Sequence, residues 1–276
     1  MKYSPIFKEK FILFSLTSCN PKKNLYFYGR NLLINIILIM LSIKNLSVQV
    51  EEKKILNQIS FDFKDGKNYC ILGKNWSGKS SLAMAITGNP KYEISGGEIL
   101  LDGQVLNDMS PDERSKAGIF LTFQNIPEIP GVKLFDFLKS IYDSRQEAPT
   151  TFIGFKKIVE PLMQDLEISR DFLWRDLNVG FSGGEKRKIE VLQIKLLKPK
   201  YIILDEIDSG LDVNAVRQVA ELLQTTDTEE NSFIIITHLF EMLQNLPLEQ
   251  IVILDHGEIR EIGGQELIEK VRKDWF

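Results

Sequence analysis

Apolar and polar residues alternate over Leu41–Val48 and again over Ile55–Phe63. That two-residue period belongs to strands with one face in a core and the other in water. Asp65-Gly66 follows as a turn signal. The pattern then changes. Asn68–Leu72 is a short strand-like run, and Ser81–Ile86 reads as the start of a helix. Gly96–Gly103 reads as another strand ending in a turn, and Gly118–Phe123 as an apolar strand. From about 125 to 180 no clear strand is visible. The apolar residues there recur at helical spacing, in Leu134, Phe135, Phe137, Leu138 and Ile141, then in Ile158, Val159, Leu162, Met163 and Leu166. Strand–helix alternation returns in the last third. Tyr201–Leu204, Phe233–Ile236 and Ile251–Leu254 are continuous apolar runs, as expected of parallel strands buried on both faces. The elements therefore predict an α/β fold with an antiparallel β subdomain early, a helical subdomain at about 125–185 and a parallel sheet. No internal repeat or low-complexity tract interrupts them.

Composition narrows the classes. The chain has 276 residues, 43% of them hydrophobic, enough for one large α/β domain or a domain with a subdomain. A net charge of −4 gives no global attraction to nucleic acid. The basic run Lys186-Arg187-Lys188 reads as a solvated helix face. Two cysteines, Cys19 and Cys70, exclude a disulfide framework and a cysteine-based metal site, and Cys70 reads as core. Residues 1–39 differ from the rest and read as an N-terminal extension outside the domain at 40–276. Their longest apolar stretch, reaching Leu41, is too short to span a bilayer, so no stable membrane insertion is expected. Lys8 and Lys10 before Phe11–Leu16 resemble a signal peptide, but no small-residue cleavage site follows, and the segment lacks the Arg and Ser of a transit peptide. The onset of regular patterning at Met40 favours an upstream reading frame with Met40 as the true start. The Lys-, Asn- and Ile-rich composition suggests an AT-rich genome. A plastid stroma and a bacterial cytoplasm both fit.

Candidate chemistry centres on Gly73-Lys74-Asn75-Trp76-Ser77-Gly78-Lys79-Ser80, which fits the phosphate-binding P-loop G-x-x-x-x-G-K-[ST] between a strand and a helix. Its glycines let backbone N–H groups converge on phosphate oxygens, helped by the helix N-terminus at Ser81. Lys79 can reach the terminal phosphates of ATP and the Ser80 hydroxyl can ligate Mg²⁺. Tyr201–Leu204 ends in Asp205 and Glu206. Carboxyl ends of parallel strands are where ligands sit, so Asp205 is placed for Mg²⁺ and Glu206 for activating water. Gln124 stands at the end of another apolar strand, where it can ligate Mg²⁺ or the water. His238 follows Phe233–Thr237 in the same way and can reach a γ-phosphate. Ser182-Gly183-Gly184-Glu185 opens a helical stretch, where small residues offer a second anion site as well as an ordinary N-cap. Asp255-His256-Gly257-Glu258 reads as a hairpin turn without chemistry.

The order of these elements resembles the nucleotide-binding domain of the ABC ATPases from about residue 40 onward. Gly118–Gln124 with Ile129–Val132, Asn178–Lys186 and Ile203–Asp212 are together similar to the SufC-type subgroup, the ATPases of SUF iron–sulfur cluster assembly. The resemblance implies an Mg-dependent ATPase whose two copies close head to tail on two ATP molecules. Each ATP would lie between one P-loop and the Ser182-Gly183-Gly184 of the other copy, with Ser209–Asp212 at the interface. It also implies a SufB–SufD-like scaffold as partner, strained by closure and touching the region from Gln124 to Val132. The alternative is the ATP-binding subunit of a transporter with a separate permease chain. Two departures stand out. Trp76 occupies a position usually held by Gly, so binding weaker than that of a Trp76→Gly variant is expected. No aromatic lies near Val48–Glu51, where many ABC ATPases stack adenine, which puts ATP-over-GTP selectivity in question.

Overall fold

The structure, a computed structural model, describes residues 40–206, 231–237 and 247–275. The expectations for residues 1–39, for Ser209–Asp212 and for His238 lie outside the described residues. Strands β1 (Met40–Val50), β2 (Lys53–Lys64) and β3 (Asn68–Gly73) lead into helix α1 (Lys79–Ile86). β4 (Glu93–Leu101), β5 (Gln104–Val105), α2 (Pro111–Lys116) and β6 (Ile119–Thr122) follow. The middle of the chain holds β7 (Ile129–Lys133), α3 (Leu134–Asp143), α4 (Phe152–Asp165), a 3-10 turn (Arg170–Trp174), β8 (Asp176–Leu177) and α5 (Gly183–Leu197). The last elements are β9 (Tyr201–Asp205), β10 (Ser232–Ile236), β11 (Leu248–Asp255), β12 (Glu258–Gly263) and α6 (Glu266–Trp275).

Two sheets carry the fold. An antiparallel sheet has the order β2-β1-β4-β5, and a mixed sheet has the order β12-β11-β3-β10-β9-β6. In the mixed sheet β11, β3, β10, β9 and β6 run parallel and β12 returns antiparallel to β11. Alternate residues of its inner strands enter two different cores. Cys70, Leu72, Ile202, Leu204, Phe233 and Ile235 join α3, α4 and α5 on one face. Tyr69, Ile71, Tyr201, Ile203, Ile234 and Ile236 join α1, β1 and β2 on the other. Both faces being covered, each of these strands reads as an unbroken apolar run. Cys70 is fully buried, and that burial pushes its thiol pKa far above the usual range.

Three details differ from the sequence reading. The alternation over Leu41–Val48 is two half-patterns joined by a bulge. The register shifts between Ile43 and Leu46, and Asn45 takes a φ of 48°. The bulge re-phases the strand, so that Leu41, Ile43, Leu46 and Val48 all stay buried. Secondly, the region from 125 to 180 does contain strands: β7 pairs with β8 in a small antiparallel ladder. β7 is exposed along its length and includes Pro130 and Gly131, so it lacks the apolar alternation that would reveal it. Thirdly, Arg187 is buried rather than on a solvated helix face.

A second buried cation supports the P-loop helix. Arg114, on α2, is 2% exposed. Its Nη1 donates to the carbonyls of Ala85 (2.8 Å) and Ile86 (3.0 Å) at the C-terminus of α1. Its Nη2 donates to Asn107 O and its Nε to Met109 O, each at 3.0 Å. A cation there meets the negative end of the helix dipole and satisfies carbonyls that the helix leaves open. Arg114→Met is expected to lower unfolding stability by about 2–4 kcal/mol, because buried acceptors lose their donor. A shift in the urea midpoint measures this; a midpoint equal to wild type is the contrary result.

Candidate functional site

The apolar run of β3 stops at Gly73, and the chain turns through Lys74–Gly78 into α1. Three features hold that turn. Ser77 N–H donates to Lys74 O (3.1 Å), Gly257 N–H donates to Ser77 O (3.0 Å), and Asn57 N–H donates to Gly257 O (2.8 Å). The β11–β12 hairpin therefore backs the P-loop directly. Gly257 has a φ of 79°, and a Cβ on it would come within 2.1 Å of Ile55 O. Only glycine fits, so the turn assigned no chemistry in sequence is a support of the site. Gly78 has a φ of 104° and is the N-cap of α1.

Lys79 is buried, and its Nζ donates to Gly73 O (2.8 Å) and Lys74 O (3.0 Å). Burial lowers its pKa, opposed by the charges of Glu206 and Asp205. Ser80 Oγ donates to Asp205 Oδ1 at 3.0 Å, which ties the end of β3 to the end of β9. Burial raises the pKa of Asp205, the Ser80 hydrogen bond works the other way, and Glu206 raises it further. Gln124 lies just past the end of β6, and its Nε2 donates to Glu206 Oε2 at 2.7 Å. Glu206 takes a φ of 47°, turning the chain sharply at the strand end. A cavity of about 400 Å³ is lined by Asn75–Ser81, Tyr92, Gln124 and Glu206. Tyr92 lies between α1 and β4 with no motif around it, so no local pattern points to it.

Ser182, Gly183 and Gly184 do not line that cavity. Ser182 N-caps α5 in a capping box: Glu185 N–H donates to Ser182 Oγ (3.3 Å) and Ser182 N–H to Glu185 Oε2 (2.7 Å). Those bonds hold the Glu185 carboxyl below its usual pKa. The helix N-terminus is thus built, and Ser182 and Gly183 are exposed for contact from outside the chain. One turn into α5, Arg187 and Glu190 form a buried ion pair at 2.6 Å. Its partners are the main chain of Phe123 and Gln124, which the sequence reading missed.

Ser77 Oγ is buried with no hydrogen-bond partner among the described residues, in a loop of N–H donors beside an ammonium. A phosphate oxygen suits such a place. The donor set of Ser80, Asp205 and Gln124 is all oxygen apart from the Gln124 amide nitrogen, as a hard cation needs. No cluster of three or more His, Cys, Asp or Glu able to hold a metal occurs among the described residues. The β1–β2 turn, Glu51-Glu52, presents two glutamates at positive φ and no ring.

Trp76 has a φ of 69° and is 99% exposed. A left-handed conformation costs a non-glycine residue about 1–2 kcal/mol. Here that strain belongs to the loop's own conformation, and the indole is exposed on a residue that also lines the cavity. The expected penalty therefore moves from affinity to stability. Trp76→Gly should bind ATP within about threefold of wild type, and its stability should change by at most about 1 kcal/mol, since relief of strain is offset by glycine's entropy. Calorimetric titration with ATP decides: a tenfold tighter variant would mean that the indole obstructs the phosphates.

Comparison with known proteins agrees with this geometry. The ABC transporter family matches residues 56–209. The chain is 42% identical over 242 residues to a probable ATP-dependent transporter, ycf16, of Antithamnion sp., covering 85% of this chain and 95% of that one. It is 37% identical to the probable ATP-dependent transporter SufC of Escherichia coli K12, covering 86% and 97%. Its fold is similar to the ATP-binding cassette MJ0796 in a dimeric post-hydrolysis state bound to ADP and Pi, with a TM-score of 0.70, 21% identity, and 82% and 98% of the two chains covered. A P-loop, a Gln124–Glu206 contact and an Asp205 tied to Ser80, on the carboxyl ends of β3, β6 and β9, place this chain in the ABC transporter family, among its ATPases of the SufC type.

Proposed function

We propose that the chain hydrolyses ATP as a head-to-tail pair and uses closure of that pair to rearrange a SufB–SufD-like scaffold during iron–sulfur cluster assembly. The observation that carries the ATPase part is that Lys79, Ser80, Gln124 and Glu206 line one cavity, with Gln124 hydrogen-bonded to Glu206 and Ser80 to Asp205. Backbone N–H groups of residues 75–80 would receive the phosphates, and Lys79 would exchange its loop carbonyls for their oxygens. Ser80 and Asp205 would hold Mg²⁺, which when bound neutralises charge on the β- and γ-phosphates. Glu206 would take the proton of the attacking water, with Gln124 fixing the carboxylate in position. A second copy would bring the exposed N-terminus of its α5, Ser182-Gly183-Gly184, over the open side of the site. His238 is assigned to the γ-phosphate from its place in the sequence.

Similarity to the E. coli SufC and the stretch Ile207–Asp212 support the SUF assignment. Binding that differs between open and closed pairs can do mechanical work on a bound scaffold, because only differential affinity shifts an equilibrium. The transporter reading has its own support, since the relatives' names describe ATP-dependent transporters. Among the described residues no helix is long and apolar enough to cross a membrane, so a permease would be a separate chain. The Lys-, Asn- and Ile-rich composition fits a plastid stroma or a bacterial cytoplasm.

Glu206→Gln is expected to keep ATP binding while kcat falls by about 10²–10⁴-fold, the usual worth of a general base. Single-turnover assays with labelled ATP read both quantities, and undiminished turnover would remove Glu206 from this role. The same variant, ATP-loaded and affinity-tagged in its source cell, should retain SufB–SufD-like proteins. Retention of a membrane permease instead would decide for the transporter reading.

A further inference from the structure

Helix α5 carries an ion pair that serves neither the helix nor the phosphates. Arg187 and Glu190 stand one turn apart, and their side chains are 5% and 6% exposed. Burying two charges is costly unless their remaining hydrogen-bonding groups are used. Here they are used on one short segment. Glu190 Oε1 accepts from Phe123 N–H at 2.9 Å. Arg187 Nη1 donates to Phe123 O at 2.7 Å and to Glu190 Oε2 at 2.6 Å. Arg187 Nη2 donates to Gln124 O at 3.3 Å. The Gln124 side chain then donates to Glu206 at 2.7 Å. Burial pushes the Glu190 carboxyl up, and Arg187 and the Phe123 N–H oppose it.

The juxtaposition forms a continuous path. Ser182–Glu185 lie at the N-terminus of the same helix whose next turn holds Gln124 by its main chain. We infer that Arg187 and Glu190 are positioning residues for the ATPase reaction: they lock the Gln124 segment to α5, so that displacement of the α5 N-terminus by a second copy is delivered to Gln124 and hence to Glu206. This rests on the proposed ATPase function. A packing role alone does not call for charge, because the volume could be filled by apolar side chains, which commonly leave a fold as stable or more so. Nor does it call for both residues to converge on the two main-chain groups of Phe123 and the carbonyl of Gln124.

The test is a double-mutant cycle on the full chain, with its scaffold partners added, reading steady-state ATPase and ATP affinity separately. Gln124→Ala and Arg187→Met should each lower kcat about tenfold or more, with ATP Kd within threefold. The double variant should be no slower than the slower single one, because Arg187 acts through Gln124. Arg187→Lys, which can still reach one carbonyl, should recover part of the rate. The apolar pair Arg187→Met with Glu190→Leu should unfold at or above the wild-type temperature and yet turn over as slowly as Arg187→Met. Losses that multiply in the double variant would overturn the inference, as would an apolar pair that folds and turns over normally. Should that pair not fold, the Gln124 cycle and the lysine rescue still decide. A wild-type protein without ATPase activity would instead defeat the underlying functional reading.

Discussion

A parallel sheet buried on both faces leaves polar chemistry only one place to meet water, the ends of its strands. The rest of this structure depends on that constraint. β3, β9 and β6 run the same way, so the P-loop, Asp205-Glu206 and Gln124 all emerge at one edge of the sheet. β10 lies between β3 and β9, so the two groups most concerned with phosphate and metal start from strands that are not neighbours. The hydrogen bond from Ser80 to Asp205 spans that gap at 3.0 Å. It joins the start of α1 to the end of β9, and it also tempers the burial that drives the Asp205 carboxyl toward its neutral form.

Among the described residues two buried guanidinium groups hold main chain, as the Lys79 ammonium does in the P-loop. Arg114 gathers carbonyls at the far end of the P-loop helix, and Arg187 gathers carbonyls of the Gln124 segment. A guanidinium suits both tasks because its planar fork offers several donors in fixed directions. The two differ in charge balance. Arg187 has Glu190 beside it, whereas Arg114 donates to four main-chain carbonyls, two of them at the negative end of a helix dipole. Both arrangements put a charge where main-chain carbonyls would otherwise be buried without a donor.

Residues 129–177 illustrate a different limit. α3 and α4 were legible because their apolar residues repeat at helical spacing, and those residues share one core with the sheet rather than forming their own. β7 was not legible, since an exposed strand containing Pro130 and Gly131 has no buried face to impose alternation. Ladder hydrogen bonding to β8 defines it, and that pairing is 43 or more residues away in the chain. The bulge at Asn45 is similar: its sequence looks like simple alternation, and only pairing with β2 and β4 reveals the shift of phase.

Read along the chain alone, the candidate chemistry and its order are visible: a phosphate loop after a strand, carboxylates after an apolar run, a glutamine at another strand end. These are local patterns, in which the residue type and its few neighbours already carry the physical reason. Tertiary structure decided how the groups are held. Lys186-Arg187-Lys188 reads as three equivalent surface charges, yet burial separates Arg187 from the other two, because that one position on the helix faces the main chain of Phe123 and Gln124. Gly257 and Tyr92 likewise acquire their places at the site from chain segments distant in sequence. Periodicity records which face of an element is buried; it carries no record of which distant backbone that face will meet.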